Sequence, residues 1–275
     1  MTSVAKLDQY GLLHAAGDDA RAFLHAQLTN DLENLPPGQA RYAGWCSAKG
    51  RLLATFLVVP YADGFLLQLS RDLVPTVLKR LSMFVLRSKV KISDASGQWA
   101  QYGVWSPGGE PLAVREDGGS ITVGVEAERH LVLAPEGRYT LNASAQDWML
   151  AEVRLGRPLI EQPTQDQFVP QMVNLELAGG VDFKKGCYPG QEVVARAQYR
   201  GSVKRRMYRL KGAALKPGQE LFSDEAPGQA SGMVVNSAGD ESLVVLQISA
   251  VESKSPIRAQ PQAAPLEILP LPYAL

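Results

Sequence analysis

The chain has 275 residues, 45% of them apolar, and its 28 Lys plus Arg balance its 28 Asp plus Glu. At roughly 100–200 residues per domain this length predicts two domains, or several small intertwined units, with enough apolar side chains for a sizeable core. Net neutrality argues against a dedicated duplex-DNA binder, which needs a basic footprint.

The opening stretch, MTSVAKLDQYGLLHAAGDD, has no continuous apolar segment and meets acids early, so it does not read as a secretory signal. No run approaches the roughly 18–20 apolar residues that span a bilayer. The two cysteines, Cys46 and Cys187, are far apart and suit a reducing compartment. The expectation is a soluble, cytoplasmic protein.

The first predicted helix follows Gly17, with Asp18 and Asp19 at its start and Ala20, Phe23, Leu24, Leu28 and Leu32 at helical spacing. Pro36, Pro37 and Gly38 stop it. Leu52 to Val59 and Phe65 to Leu69 read as a hairpin, and Val74 to Leu86 as a second amphipathic helix before a short strand at Lys89 to Ser93. Further strands are expected at Tyr102–Trp105, Ile121–Val125 and Leu131–Leu133. Ser144 and Asp147 signal the start of a third helix, which Gly156-Arg157-Pro158 ends.

Glu161 to Gly180 reads as irregular loop. Past Arg200, short strands alternate with turns at Lys216-Pro217-Gly218, Ala226-Pro227-Gly228 and Ala238-Gly239-Asp240, the pattern of a small β-barrel or sandwich. From Ser255 the chain is proline-rich and reads as an extended strand or wrap. The order of elements gives an α+β class with mixed or antiparallel sheets, since no βα alternation recurs.

The densest chemistry lies in FKKGCYPGQEVVAR, Phe183 to Arg196. Lys184 and Lys185 precede Cys187, and cations or a helix N-terminus favour a thiolate. Pro189 suits the first turn of a helix running through Gln191 to Gln198, while Gly186 and Gly190 leave room for a planar or phosphate-like group. Against this stands a plainer reading of Cys187 as a small, partly buried hydrophobe in a turn. His14, His25 and His130 are distant in sequence and read as structural. No metal site is expected, and two cysteines cannot hold an iron–sulfur cluster with four thiolates of one chain.

FKKGCYPGQEVVARAQYRG closely resembles the KGCYxGQE signature of the YgfZ-type folate-binding proteins, relatives of the aminomethyltransferase (T-protein) of the glycine cleavage system. Leu28 to Leu53, with its LTND, the stretch FVLRSKVKI from Phe84 to Ile92, Arg154-Leu155-Gly156 and Asn174-Leu175-Glu176 resemble members of the same group. The resemblance implies two interleaved ferredoxin-like units over residues 1–200, a small C-terminal β-barrel over 201–275, and a central opening for tetrahydrofolate or a derivative. It implies a functional motif of Lys185, Gly186, Tyr188, Gly190, Gln191 and Glu192 around a reactive or ligand-presenting Cys187, with Arg154, Asn174 and Glu176 as folate-binding residues. Gln191 and Glu192 would cap or orient the turn holding Cys187.

The implied role is support for the assembly or repair of iron–sulfur enzymes, including those that thiolate tRNA. The implied partners are those client enzymes or assembly proteins, with tRNA only indirectly involved and neither DNA nor membrane. Ala54 and Arg154 fall where the aminomethyltransferase pattern has carboxylates, which implies folate binding without aminomethyl transfer. The alternative is a folate-dependent one-carbon transferase. A third reading, RNA binding, uses the basic run Lys204, Arg205, Arg206, Arg209 and Lys211, which more simply reads as a solvated strand face.

Overall fold

The computed structural model describes residues 2–201, 203–225 and 228–275, so Ala226 and Pro227 of one predicted turn lie outside the described residues. The chain opens with β1 (Ser3–Lys6), β2 (Tyr10–Ala16), α1 (Ala20–Gln27), β3 (Arg41–Cys46), β4 (Leu52–Tyr61), β5 (Gly64–Ser70), α2 (Val74–Ser82) and β6 (Lys91–Asp94). Next come β7 (Ala100–Trp105), β8 (Val114–Asp117), β9 (Ser120–Glu126), β10 (Arg129–Ala134) and α3 (Ala145–Arg154). After a long irregular stretch follow α4 (Gln191–Tyr199), β11 (Arg205–Lys211), β12 (Glu220–Ser223), β13 (Ala230–Ala238) and β14 (Glu241–Gln247). α5 (Ile248–Glu252), β15 (Ile257–Arg258) and β16 (Glu267–Leu269) complete the chain.

Three sheets result, with orders β3-β4-β5-β2-β6, β1-β7-β10-β9-β8 and β15-β12-β13-β14-β11-β16. Pairing between the strands is antiparallel throughout the described residues. The first two sheets interleave along the chain: β1 crosses over to pair with β7, while β2 to β6 build the other sheet.

β4 shows why these layers form. Its run LLATFLVV is buried at every position, the mark of a strand covered on both faces. One face, Ala54, Phe56 and Val58, joins the helices α1 and α2 in the largest core cluster. The other, Leu57 and Val59, packs with Tyr10, Ile121, Leu131 and Trp148 between the first two sheets. The third sheet has its own core around Leu221, Val234 and Leu246, but Met207, Val235 and Val245 reach into the main cluster.

Several elements differ from expectation. α1 ends at Gln27 because Leu28 turns extended and bridges Trp45. α2 ends at Ser82, past which Met83, Phe84 and Leu86 no longer face the core. α3 starts as predicted, with a capping box between Ser144 and Asp147.

Candidate functional site

The Leu28-Thr29-Asn30-Asp31 stretch is a structural joint. Thr29 Oγ1 donates to the Gly180 carbonyl at 2.6 Å and accepts from the Gly44 N–H at 2.7 Å. Asn30 Nδ2 donates to the carbonyls of Tyr42, 2.8 Å, and Gly179, 2.7 Å. These bonds lash β3 to residues 179–182, and the chain then enters the cysteine loop in a fixed direction.

Within that loop Lys185 points inward. Its ammonium donates to the carbonyls of His25 at 2.5 Å and Leu28 at 2.9 Å, both at the C-terminal end of α1, where a cation suits the orphaned acceptors. It also lies 4.9 Å from the centre of the Tyr188 ring. Burial pushes the Lys185 pKa down to about 8, against the pull of Asp31, Asp182 and Cys187. Lys185 therefore anchors the loop with its ammonium, while Cys187 itself is exposed. Lys184 is exposed too.

His25, distant in sequence, is a near neighbour of this loop. Its Nδ1 meets the N–H groups of Leu32, 3.3 Å, and Glu33, 3.2 Å, and lies 3.2 Å from Asp31 Oδ1. Its Nε2 lies 3.6 Å from where a Cβ on Gly186 would stand. Sequence spacing gave no hint of this contact.

α4 starts at Gln191, with Gly190 in the N-cap position at φ 79°, so Pro189 precedes the helix instead of entering its first turn. The space beside Gly190 is filled by this chain's own backbone: a Cβ there would meet the Ser47 oxygen at 2.4 Å and Gly50 N at 2.6 Å. Only Gly186 is open as expected. No side-chain hydrogen bond caps α4, so Gln191 and Glu192 do not hold the turn in that way. Tyr188 is buried, and burial raises its phenol pKa.

A separate cavity opens between the first two sheets. Tyr10, Tyr42, Thr55, Gln68 and Trp148 are among its walls, together with Glu152 and Arg157. Its volume is about 50 Å³, so it is a narrow slot. Glu152 Oε1 stands 2.7 Å from Arg129 Nη2 and 3.7 Å from Arg157 Nη1. Neither contact has hydrogen-bond geometry, leaving all three atoms buried without a directed partner. Arg157 lies over the Tyr42 ring at 4.8 Å and Arg129 over Trp148 at 4.4 Å. Burial pushes the Tyr42 phenol up to about 12, so it is a neutral donor near pH 7.

Three residues expected to bind a ligand stand elsewhere. Arg154 reaches from α3 to Glu241 on β14, with Nη2 to Oε1 at 2.8 Å, because the buried Glu241 carboxylate needs a cation. Asn174 is buried, at φ 54°, and donates from Nδ2 to the Met207 carbonyl at 2.8 Å; Glu176 pairs with Arg206. Both fasten an irregular loop to β11. Ala54 packs in the core cluster with α1 and α2 and is not among the walls of the slot, whereas its neighbour Thr55 is. The slot nevertheless has a carboxylate, Glu152, which sequence reasoning missed.

The basic run on β11 is largely answered by acids: Arg206 by Glu176, Arg209 by Glu241 at 3.8 Å and Lys211 by Asp240 at 3.8 Å. Among the described residues no cluster of three or more His, Cys, Asp or Glu is placed to hold a metal ion, and no helix is long and apolar enough to cross a membrane.

Residues 2–113 match the family described as GCVT N-terminal domain. Over 90% of its length the chain is similar to the glycine cleavage system aminomethyltransferase T from Bartonella henselae, covering 79% of that chain at 15% identity and a TM-score of 0.72. The fold is thus the mixed α/β architecture of that aminomethyltransferase. A heterotetrameric sarcosine oxidase from Corynebacterium sp. U-96 is matched at 15% identity over 48% of this chain and 74% of that one, with a TM-score of 0.33, too remote for a fold assignment.

Proposed function

We propose that the chain is a folate-binding accessory protein that supports assembly or repair of iron–sulfur enzymes, including tRNA-thiolating ones, with Cys187 as the thiol presented to the client. The observation that carries the folate reading is the slot, with buried polar atoms on Glu152 and Arg157 that lack directed partners. Such atoms are costly unless a ligand satisfies them. The Glu152 carboxylate accepts from an N–H edge such as a pterin's, Arg157 donates to a carbonyl or carboxylate, and Tyr42 and Trp148 supply aromatic faces. A bound tetrahydrofolate or derivative supplies a carrier for one-carbon units. The slot has to widen to admit it.

The cysteine half of the reading is supported by the exposed thiol on a loop anchored at Lys185, Tyr188 and Gly190. The finer fold reading also has support. β2-α1-β4-β5-α2-β6 lie in sheet order β4-β5-β2-β6, the arrangement of a ferredoxin-like unit with β3 added at an edge. A boundary near residue 200 is supported by β11 to β16 pairing only among themselves within the described residues.

The alternative, one-carbon transfer, draws on Glu152 as an acid in the slot. It faces the Arg129 and Arg157 guanidinium groups, at 2.7 Å and 3.7 Å, which present donors to it. The test is an anaerobic titration with tetrahydrofolate followed by tryptophan fluorescence, with Trp148 in the wall of the slot. Saturable binding that weakens about tenfold or more in Glu152→Gln supports the reading. No binding at millimolar ligand removes it, and turnover of a methylene-folate with an amine would favour the transferase. Normal iron–sulfur enzyme activity in cells carrying Cys187→Ser would remove the role of the thiol.

A further inference from the structure

From Leu73 to Ser93 the chain carries five cations, Lys79, Arg80, Arg87, Lys89 and Lys91, and no acid. All five are exposed. Lys89 pairs with Asp18 at 3.4 Å, but with 77% and 79% of the side chains exposed that pair is weak. Among the described residues the other four have no ion-pair partner, in contrast to the answered cations of β11.

In the middle of this basic strip Met83 is 69% exposed, Leu86 85% and Phe84 43%. They are not the inward face of α2, whose Val74, Val77 and Leu81 are buried. Met83 and Leu86 therefore stand in water, with Phe84 half-exposed between them, on a segment flanked in sequence by cations.

We propose that this strip is a docking surface for an acidic segment of a partner protein, which seats apolar side chains on Met83, Phe84 and Leu86 and carboxylates on the surrounding cations. A local excess of five positive charges on a neutral chain is complementary to an acidic surface and steers it. Met, Phe and Arg are residue types enriched where protein interfaces are driest, and Met adapts to a partner's shape.

Other occupants fit less well. RNA uses cations with aromatic stacking, and the strip offers one ring, Phe84, only half-exposed against Trp45, beside the ringless Met83 and Leu86. A membrane surface takes the long apolar face of a whole amphipathic helix, whereas that face of α2 is already in the core.

The strip also packs against the buried Trp45. Phe84 meets Trp45 edge-on at 6.2 Å, and Arg80 lies over the same indole at 5.9 Å. Trp45 bridges Leu28, whose carbonyl takes the Lys185 ammonium. The inference does not depend on folate binding.

The test is fluorescence anisotropy on the full chain with a labelled acidic peptide carrying Leu and Phe anchors. The same peptide with anchors changed to Ser, a single-stranded RNA and phosphatidylglycerol vesicles serve as rivals. Two double variants, Met83→Ser with Leu86→Ser and Arg87→Glu with Lys91→Glu, change exposed side chains only; melting curves and tetrahydrofolate titration check that each is intact. The expected result is saturable binding of the anchored peptide, about tenfold weaker in either double variant and weaker in high salt. No binding, binding unchanged in both variants, or tighter binding of the RNA, the vesicles or the anchorless peptide would overturn the proposal.

Discussion

Gly190 and Gly50 meet backbone to backbone: a Cβ on Gly190 would stand 2.6 Å from the Gly50 Cα. The approach locks the start of α4 onto the turn between β3 and β4, and with it the loop that displays Cys187. Gly190→Ala is expected to cost about 2 kcal/mol or more, roughly half from the left-handed backbone and the rest from the clash. Thermal or urea melting checks it. A loss under about 0.5 kcal/mol would mean that the turn slides away without consequence.

Lys185 gives a pH signature. Its folded pKa, about 8, lies below the 10.5 of the free side chain, because burial disfavours the charge. Between those values the unfolded chain holds a proton that the folded one has released, so this residue's contribution to stability rises with pH across that window. The difference between wild type and Lys185→Met, measured by melting at intervals from pH 7 to pH 11, should grow in favour of wild type. A flat difference would show the ammonium to be better solvated than its contacts imply.

Glu161 works in the opposite sense. Burial first, then the nearby Asp72, raises its pKa from 4.5 to about 7. Below pH 4.5 its contribution is fully present, and it is lost as pH rises towards 7. Glu161→Gln should therefore lose this fall, melting at nearly the same temperature at pH 5 and pH 8 relative to a wild type that drops.

The two thiols should separate cleanly. Cys46 is buried, and desolvation, with Asp166 adding to it, pushes its pKa up to about 12, whereas Cys187 is exposed. Brief iodoacetamide treatment of the native chain, read by peptide mass spectrometry, should label Cys187 and spare Cys46 until denaturant is added. Equal labelling would show the core around Cys46 to be open.

Arg154→Ala tests a residue that the fold pairs with Glu241. It removes the cation from a buried Glu241 but touches no wall of the slot. About 1 kcal/mol of stability should go, with tetrahydrofolate affinity changed less than about twofold. A large loss of affinity would return Arg154 to the ligand.

The legible parts of the sequence were those with local causes. The run in β4 and the Ser144–Asp147 box of α3 state their structure within a few residues. β3, RYAGWC, escaped notice because Gly44 and Ala43 break the strand pattern; Gly44 is small because Leu52, Leu175 and Thr29 press on it. α1 seemed longer because Leu28 and Leu32 keep helical spacing, while Thr29 and Asn30 spend their side chains on distant backbone. Cys187 could be singled out from its motif, but the slot could not. Its walls run from Tyr10 to Ala178, and nothing near Glu152 or Arg157 marks them as facing the same space.

The crossing of β1 has a consequence for how the protein is made. Val4 pairs with Val104, so β1 has no partner until β7 has followed it out of the ribosome. Meanwhile β2 to β6 are complete at Asp94 and free to close into their own sheet. During that interval β1 is an unpaired edge of a growing chain, and contacts of such long separation form slowly. Nascent chains stalled just before Ala100 should be the ones that chaperones hold.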